Sequence, residues 1–312
     1  MKLKTLIFCL FLGMFVFWHV TVWADLFEVR IESGIRRTSS GGSIPYDLFI
    51  PEPGPGLPAK PWPAIVLTPG FGRDRHYHWK NARYMAQRGM VVLTPDMVNL
   101  MGGESAQLQN IANTVDHVVW LSDRSANDRD PLAGVIDPSR MGLAGHSAGG
   151  AISFEAAVKA QELPFPVAAI CLLDAVPWER TLDSAPLLEP VAFSSFRSEP
   201  SLCNAKGMIL KLLDRLTFAT EDVRIVKGTH CDPENPSDGL CSLVCGRSNQ
   251  KGRGLYQRLM YLFFQDALRV PSVDGHPETY TRALDRLEAQ RAVVYRPIPS
   301  RNWGHPRSGV KS

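Results

Sequence analysis

The chain has 312 residues, of which 45% are apolar and 21% charged, and its formal net charge is +3. This near-balanced charge indicates neither a nucleic-acid-binding protein nor a net electrostatic footprint for membranes. The length is sufficient for one large domain with a sizeable hydrophobic core.

The N-terminus has the pattern of a secretory signal. Lys2 and Lys4 precede an uncharged apolar run, Thr5 to Val22, and Val22-Trp23-Ala24 offers small residues at the cleavage positions. We therefore expect residues 1–24 to be a signal peptide and the protein to be secreted or periplasmic. The alternative is an uncleaved membrane anchor, because the run approaches spanning length.

Short apolar runs alternate with helical patterns along the chain. A hairpin is expected first, followed by alternating strands and helices that are apolar on both sides, which predicts an α/β fold with a mostly parallel sheet covered on both faces. The predicted strands are Leu26–Ile31, Tyr46–Ile50, Pro63–Thr68, Met90–Thr94, Met141–Ala144, Val167–Leu173, Val191–Ser194 and Val223–Val226, and the predicted helices are Asn81–Arg88 and Ala106–Leu121.

The C-terminal part departs from this alternation. We expect a catalytic domain over residues 25–268, and over 269–312 a C-terminal extension made of one amphipathic helix, Pro277–Val294, and a polar, basic, flexible tail.

Five cysteines follow the predicted signal. Cys171 lies in an apolar strand and is expected to be a buried thiol, whereas the other four occupy polar, loop-like segments and predict two disulfides: Cys203, Cys231, Cys241 and Cys245. Because Cys203 and Cys231 would lie at the ends of neighbouring strands, we expect a Cys203–Cys231 bridge and a Cys241–Cys245 bridge. The rival pairings join Cys203 to Cys241 or Cys245. A zinc site is disfavoured, because the ligand spacings that zinc sites use are missing.

The run Gly145-His146-Ser147-Ala148-Gly149 follows a predicted strand and precedes a helix of small residues. A G-x-S-x-G run in this position is typical of the strained turn that exposes a nucleophilic serine, although the pattern alone is weak. Ser147 is the candidate nucleophile. His146 beside it is expected to face away and to pack.

The other parts of such a site must come from strand ends. The loop Thr68-Pro69-Gly70-Phe71-Gly72 would supply one oxyanion-binding amide from Phe71, and Ala148 would supply the other. His230 follows a strand and a Gly-Thr turn, which makes it the candidate base. His76 and His78 near the oxyanion loop are expected to be rim residues rather than metal ligands.

Two residues compete for the role of the acid that orients His230. Asp174 ends the first strand after the helix that follows Ser147, and a carboxylate directly after an apolar strand needs a partner. Glu199 follows the next strand, which is the commoner position for the acid of a hydrolase. Position alone does not separate Asp174 from Glu199.

Residues 26 to about 268 resemble the α/β-hydrolase superfamily. The oxyanion loop and the run Gly145–Gly150 resemble the dienelactone-hydrolase, chlorophyllase and cutinase-like polyester hydrolase group. Leu172–Ala175 resembles the acid-bearing segment of chlorophyllases and platelet-activating-factor acetylhydrolases, and in the latter a Ser-Glu pair like Ser198-Glu199 is not the acid. The resemblance therefore favours Asp174 and implies an α/β-hydrolase fold.

These observations predict an exported serine esterase without a cofactor or metal, acting on a small-molecule ester. A lipid-ester hydrolase of the phospholipase or acetylhydrolase kind is the alternative. A hydrolase-fold protein that only binds is disfavoured, because serine, histidine, acid and oxyanion loop all occur in order. Nucleotide chemistry is not indicated, because no nucleotide-binding fingerprint occurs.

Overall fold

The computed structural model describes residues 26–54, 58–98, 101, 103–273 and 278–300. The predicted signal peptide, 1–24, and the tail from residue 301 lie outside these ranges. Within the described ranges no helix is both long enough and apolar enough to cross a membrane.

A nine-stranded mixed sheet forms the centre of the described chain, in the order β1-β2-β4-β3-β5-β6-β7-β8-β9. The strands are β1 (Glu28–Arg37), β2 (Ser43–Glu52), β3 (Trp62–Thr68), β4 (Val91–Pro95), β5 (Ile136–His146), β6 (Val167–Leu173), β7 (Ala192–Arg197), β8 (Thr220–Ile225) and β9 (Val293–Ile298). The central strands, β4 through β8 in spatial order, run parallel, while β1, β2 and β9 add antiparallel edges. This sheet confirms the predicted α/β-hydrolase fold class and the opening hairpin.

Helices cover both faces of the sheet, as its apolar strands require. They are α1 (Trp79–Ala86), α2 (Gly103–Ala126), α3 (Ala148–Ala160), α4 (Glu179–Ser184), α5 (Ile209–Leu213), α6 (Gly239–Cys245), α7 (Gln250–Ala267) and α8 (Tyr280–Ala289). The core on one face contains residues of α2, α3, α4 and α5, and the core on the other contains residues of α1, α7 and α8. The parallel strands therefore all end at one edge of a doubly covered sheet, where such folds place their sites.

The C-terminal segment differs from its sequence prediction. The single helix expected over Pro277–Val294 is shorter, and after a turn at Arg291, which has φ 54°, the chain forms β9 antiparallel to β8. Pro297 within β9 hid the strand from sequence reasoning, yet an edge strand tolerates a residue without an N–H donor. The sheet thus extends past the predicted boundary at residue 268, and Ile298 belongs to it rather than to the tail that is expected after Pro297.

Candidate active site

The elbow at the end of β5 holds Ser147 in a conformation that few residues adopt. Ser147 has φ 55° and ψ −122°, between the last residue of β5 and the first of α3. A Cβ on Gly145 would lie 2.2 Å from the carbonyl oxygen of Gly149, and one on Gly149 would lie 2.1 Å from that of Pro69. Only glycine fits these two positions, because the strand, the helix and the oxyanion loop meet there with no room for a side chain.

Three predicted residues form one hydrogen-bonded chain at this strand edge. Nδ1 of His230 lies 2.6 Å from Oδ2 of Asp174, and Nε2 of His230 lies 2.9 Å from Oγ of Ser147. With the Nδ1 proton donated to the carboxylate, Nε2 accepts the serine hydroxyl proton, which is the tautomer that activates a serine. Asp174 is fully buried, and Ser147 and His230 are buried except where they line a cleft.

Asp174 is the acid that contacts His230. It is fully buried, directly follows β6 and has φ 44°. Its carboxylate accepts hydrogen bonds from the backbone N–H of Ser198 (2.9 Å) and the hydroxyl of Ser198 (2.6 Å), and Asn204 approaches at 3.3 Å. These donors satisfy the buried carboxylate oxygens and fix their orientation toward the imidazole.

Glu199, the alternative acid, lies elsewhere. Its side chain is 37% exposed, is paired with Arg224, and accepts the backbone N–H of Lys227 at 3.1 Å. The Ser198-Glu199 pair therefore divides its roles: Ser198 binds Asp174, and Glu199 stabilises the turn before His230. Sequence reasoning noted this pair but missed the contact that Ser198 makes.

The predicted oxyanion loop lies against the serine. Gly70 accepts the N–H of Arg73 in a tight turn, and a Cβ on Gly70 would lie 3.3 Å from Cβ of Ser147. Phe71 is the second residue of that turn, whose N–H takes no part in the turn's hydrogen bond. Ala148 opens α3, so its N–H has no acceptor within the helix. Ala148 directly follows Ser147, and Phe71 lines the same cleft as Ser147.

His146 differs from its prediction. It lines the same cleft as Ser147, its ring centroid is 4.8 Å from that of His230, and its Nε2–H donates to the backbone carbonyl of His230 at 2.8 Å. Strand alternation predicted the opposite direction, but alternation ends where the positive φ of Ser147 turns the chain. His146 therefore holds the His230 backbone while Asp174 holds its ring.

His78 is also not at the rim. It is fully buried behind His146, 6.0 Å between ring centroids, and Asn81 donates to its Nδ1 at 3.2 Å. His76, by contrast, is 57% exposed beside Asp74. Burial lowers the pKa of His78 from 6.5 to about 3, so its imidazole is neutral in the folded protein.

This buried histidine predicts a pH dependence of stability. Between about pH 3 and 6.5 the unfolded chain protonates residue 78 while the folded protein does not, so the free energy of unfolding falls as the pH drops through this window. Within this window His78 lowers the free energy of unfolding by up to about 1.4 kcal/mol for each pH unit. Urea unfolding of the wild type and His78→Asn from pH 7.5 to 4.5 measures it. We expect a shallower slope in the variant, and equal slopes would contradict the assignment.

Residues after His230 anchor its loop on three sides. Asp232 is fully buried and accepts the N–H groups of Thr229 and Asn249, both at 2.8 Å. Glu234, whose pKa is raised by burial, pairs with Arg73 at 2.8 Å. Sequence reasoning missed these anchors, although two acids within four residues of a candidate catalytic histidine were a visible signal.

The predicted disulfide cysteines are all bonded, but the favoured pairing is wrong. The bridges are Cys203–Cys245 and Cys231–Cys241, with Cα separations of 5.5 and 5.9 Å, and Cys171 is a buried free thiol as predicted. The segment expected to be a loop is helix α6, in which Cys241 and Cys245 point the same way and one turn apart, so each meets a different partner. Three of these sulfurs lie within 4.8 Å of one another, yet as disulfides they offer no thiolate to a metal.

The cleft above Ser147 has a volume of about 410 Å³. Its walls come from the oxyanion loop, the histidine loop and α6, and it is lined by Gly70, Phe71, Gly72, Arg73, His146, Ser147, Cys203, His230, Glu234, Leu240, Cys241, Val244 and Cys245. It is therefore mostly apolar, with the serine and histidine at its base.

Comparison with known proteins gives one family. Residues 54–198 match the model of the family described as PET hydrolase-like, and no curated protein matched the sequence. The matched segment includes the oxyanion loop, the elbow and Asp174 but ends before His230 and α6. The sheet and this match together give the chain the α/β-hydrolase fold, with similarity to the PET hydrolase-like family over residues 54–198.

Proposed function

We propose that this protein is an exported serine hydrolase that cleaves carboxylic esters through an acyl-enzyme. The observation that carries the proposal is the continuous hydrogen-bonded chain from Ser147 through His230 to Asp174 at a strained elbow. Similarity to the PET hydrolase-like family supports ester chemistry. We propose further that residues 1–24 direct export, in keeping with two disulfides, which persist in oxidising compartments.

The reaction follows from the geometry. Oγ of Ser147 attacks the ester carbonyl carbon while Nε2 of His230 takes its proton. The tetrahedral oxyanion accepts the N–H groups of Phe71 and Ala148, each worth roughly 3 kcal/mol in comparable sites. His230 then protonates the leaving alkoxide, which departs as the alcohol and leaves the acyl group on Ser147.

Deacylation repeats the same steps with water as the nucleophile. His230 removes a proton from water, the hydroxide attacks the acyl carbon, and Ser147 leaves with its proton restored. Asp174 stabilises the imidazolium in both halves, and the Nδ1 proton stays on His230 throughout. The donors of Ser198 and Asn204 support this role because they hold the carboxylate in position beside Nδ1 of His230.

A fluorophosphonate probe tests the proposal directly. It should label the purified protein once, and peptide mapping should place the label on Ser147, because only an activated serine reacts with it. An unlabelled protein, or a label on another serine, would contradict the assignment. A p-nitrophenyl ester series from acetate to palmitate then separates a short-chain esterase from a hydrolase of long lipid esters.

The two disulfides are expected to act differently. Cys231 is adjacent to His230 and bonds to α6 across 10 residues, whereas Cys203–Cys245 closes 42 residues. Loop-closure entropy assigns roughly 3 kcal/mol of stability to the shorter loop and roughly 4 to the longer. The double variant Cys231→Ser, Cys241→Ser should therefore lower kcat by about tenfold or greater, more than removal of the other bridge does. The reason is that the loop carrying His230 loses its nearest covalent attachment.

Cys203→Ser with Cys245→Ser provides the matched comparison. Compared with the Cys231→Ser, Cys241→Ser protein, it should lower the unfolding midpoint by a larger amount and kcat by a smaller factor, since its cysteines are adjacent to neither His230 nor Asp174 in sequence. Both double variants are assayed with a soluble short-chain ester and by thermal unfolding. The reverse ranking of kcat would show that the Cys231–Cys241 bridge does not position the histidine.

A further inference from the structure

Helix α6 presents an unusual surface. Its residues Leu240, Leu243 and Val244 are 65%, 83% and 67% exposed, and Cys241 is its one buried residue. A helix in a globular protein ordinarily buries its apolar side chains against the core. Here the apolar side chains face solvent, and the two disulfides, rather than apolar packing, attach the helix to the rest of the domain.

Further exposed apolar residues lie around the same cleft. Phe71 of the oxyanion loop is 53% exposed, and Leu202, next to the bridged Cys203, is 87% exposed. Phe71, Leu240 and Val244 line the cleft that contains Ser147, and the bridge to Cys245 brings Leu202 to the same end of α6. We name Phe71, Leu202, Leu240, Leu243 and Val244 the apolar rim. A contiguous apolar patch of this kind marks an interaction surface.

Two cations accompany the apolar rim. Lys206 and Arg247 are exposed, and within the described residues neither forms an ion pair. The N–H of Lys206 bonds to the carbonyl of Ser201 at 2.7 Å, which folds Lys206 back beside Leu202, and Arg247 is two residues from Cys245, within roughly 7 Å of chain.

The carboxylates at this end of the molecule pair with arginines. Asp238 and Glu234 share Arg73, and Glu199 pairs with Arg224. These groups together keep one negative charge, against the two positive charges of Lys206 and Arg247. The near-balanced net charge of the whole chain therefore does not describe this local surface, where two unpaired cations stand beside exposed leucines.

We propose that the apolar rim binds the surface of an anionic lipid aggregate, with its leucines among the acyl chains and Lys206 and Arg247 against the anionic headgroups. Such a combination of apolar side chains and cations is what an anionic lipid–water interface recognises. In this docked position the cleft that contains Ser147 faces the lipid–water interface. The further step, that this docking serves the hydrolysis of lipid esters, rests on the proposed function.

Charge favours this occupant over two others. An uncharged polyester surface would contact the leucines but would leave the two cations without partners. A second copy of the chain in a two-fold contact would place the apolar rim of one copy against the apolar rim of the other. The cations of both copies would then lie close together, which like-charge repulsion opposes.

Vesicle binding tests the proposal without any hydrolysis. The Ser147→Ala protein is co-sedimented with phosphatidylcholine vesicles and with vesicles containing about 30 mol % phosphatidylglycerol, at moderate salt. We expect at least tenfold tighter partitioning to the anionic vesicles. Adding Leu202→Ser and Leu243→Ser should weaken binding to them at least tenfold, and adding Lys206→Gln and Arg247→Gln should remove most of the anionic preference.

Leu187→Ser is the matched control. Leu187 is 64% exposed, but its backbone contacts Gln161 near the start of β6, at the opposite edge of the sheet. This change should leave vesicle binding unaltered, and all variants should keep the parent's unfolding midpoint. Because every protein carries Ser147→Ala, a failure of the proposed chemistry would not alter these results.

Several outcomes would overturn the docking proposal. Equal partitioning to neutral and anionic vesicles would remove the role of the cations, and undiminished binding of the Leu202→Ser, Leu243→Ser protein would remove that of the rim. Adsorption to an uncharged polyester film but not to vesicles would identify a polymer surface instead. A dimer in analytical ultracentrifugation that the two serine changes dissociate would identify a second copy as the occupant.

Discussion

Ser147→Ala is expected to lower kcat for ester hydrolysis by about 10⁶ while leaving the fold intact. The hydroxyl is the atom that would form the acyl-enzyme, and its one side-chain hydrogen bond is to Nε2 of His230, 2.9 Å away. Alanine and serine both carry a Cβ, so the φ of 55° at this position strains the two residues to about the same degree. The loss should therefore appear in kcat and not in the unfolding midpoint.

Ser139→Ala supplies the control for that measurement. Ser139 lies on the same strand, β5, is exposed, and bonds to Asp137 far from the elbow. Its kcat should stay within about twofold of the wild type, as surface changes away from a site ordinarily do. A Ser147→Ala protein with activity within tenfold of the wild type would show that another group performs the attack.

The strand ends of this protein could be predicted because local pattern and chemistry coincide there. Val167–Leu173 is uniformly apolar and matches β6 at both ends, so the polar residue that follows had to lie at the sheet edge. The glycines at 145 and 149 similarly marked a turn that admits no side chains. The sequence thus indicated which residues could meet, although Asp174 was separated from Glu199 by resemblance alone.

The parts that could not be predicted depend on long-range contacts. The direction of His146 depends on a turn at Ser147 and on a carbonyl 84 residues away in sequence. The disulfide pairing depends on α6 being a helix, which its exposed leucines concealed, because periodicity reveals helices that bury one face. In both cases the deciding partner was distant in sequence.

Asp174→Asn should lower kcat by about 10⁴. The carboxylate accepts the Nδ1 proton of His230 at 2.6 Å and thereby leaves Nε2 free to take the serine proton. An asparagine amide that donates to Nδ1 would stabilise the other tautomer, in which Nε2 carries the hydrogen and cannot act as the base. The amide is also neutral, so it does not stabilise the imidazolium. Steady-state kinetics on a soluble ester measure the loss.

Glu199→Gln is the matched change at the rival position. The carboxylate of Glu199 bonds to Arg224 and to the N–H of Lys227 and is 37% exposed, and a partly exposed ion pair of this kind contributes about 1 kcal/mol or less. Its kcat should remain within about threefold of the wild type, because the hydrogen bonds that orient His230 all come from other residues. A larger loss for Glu199→Gln than for Asp174→Asn would place the working acid after β7, and would require His230 to leave the partner it has here.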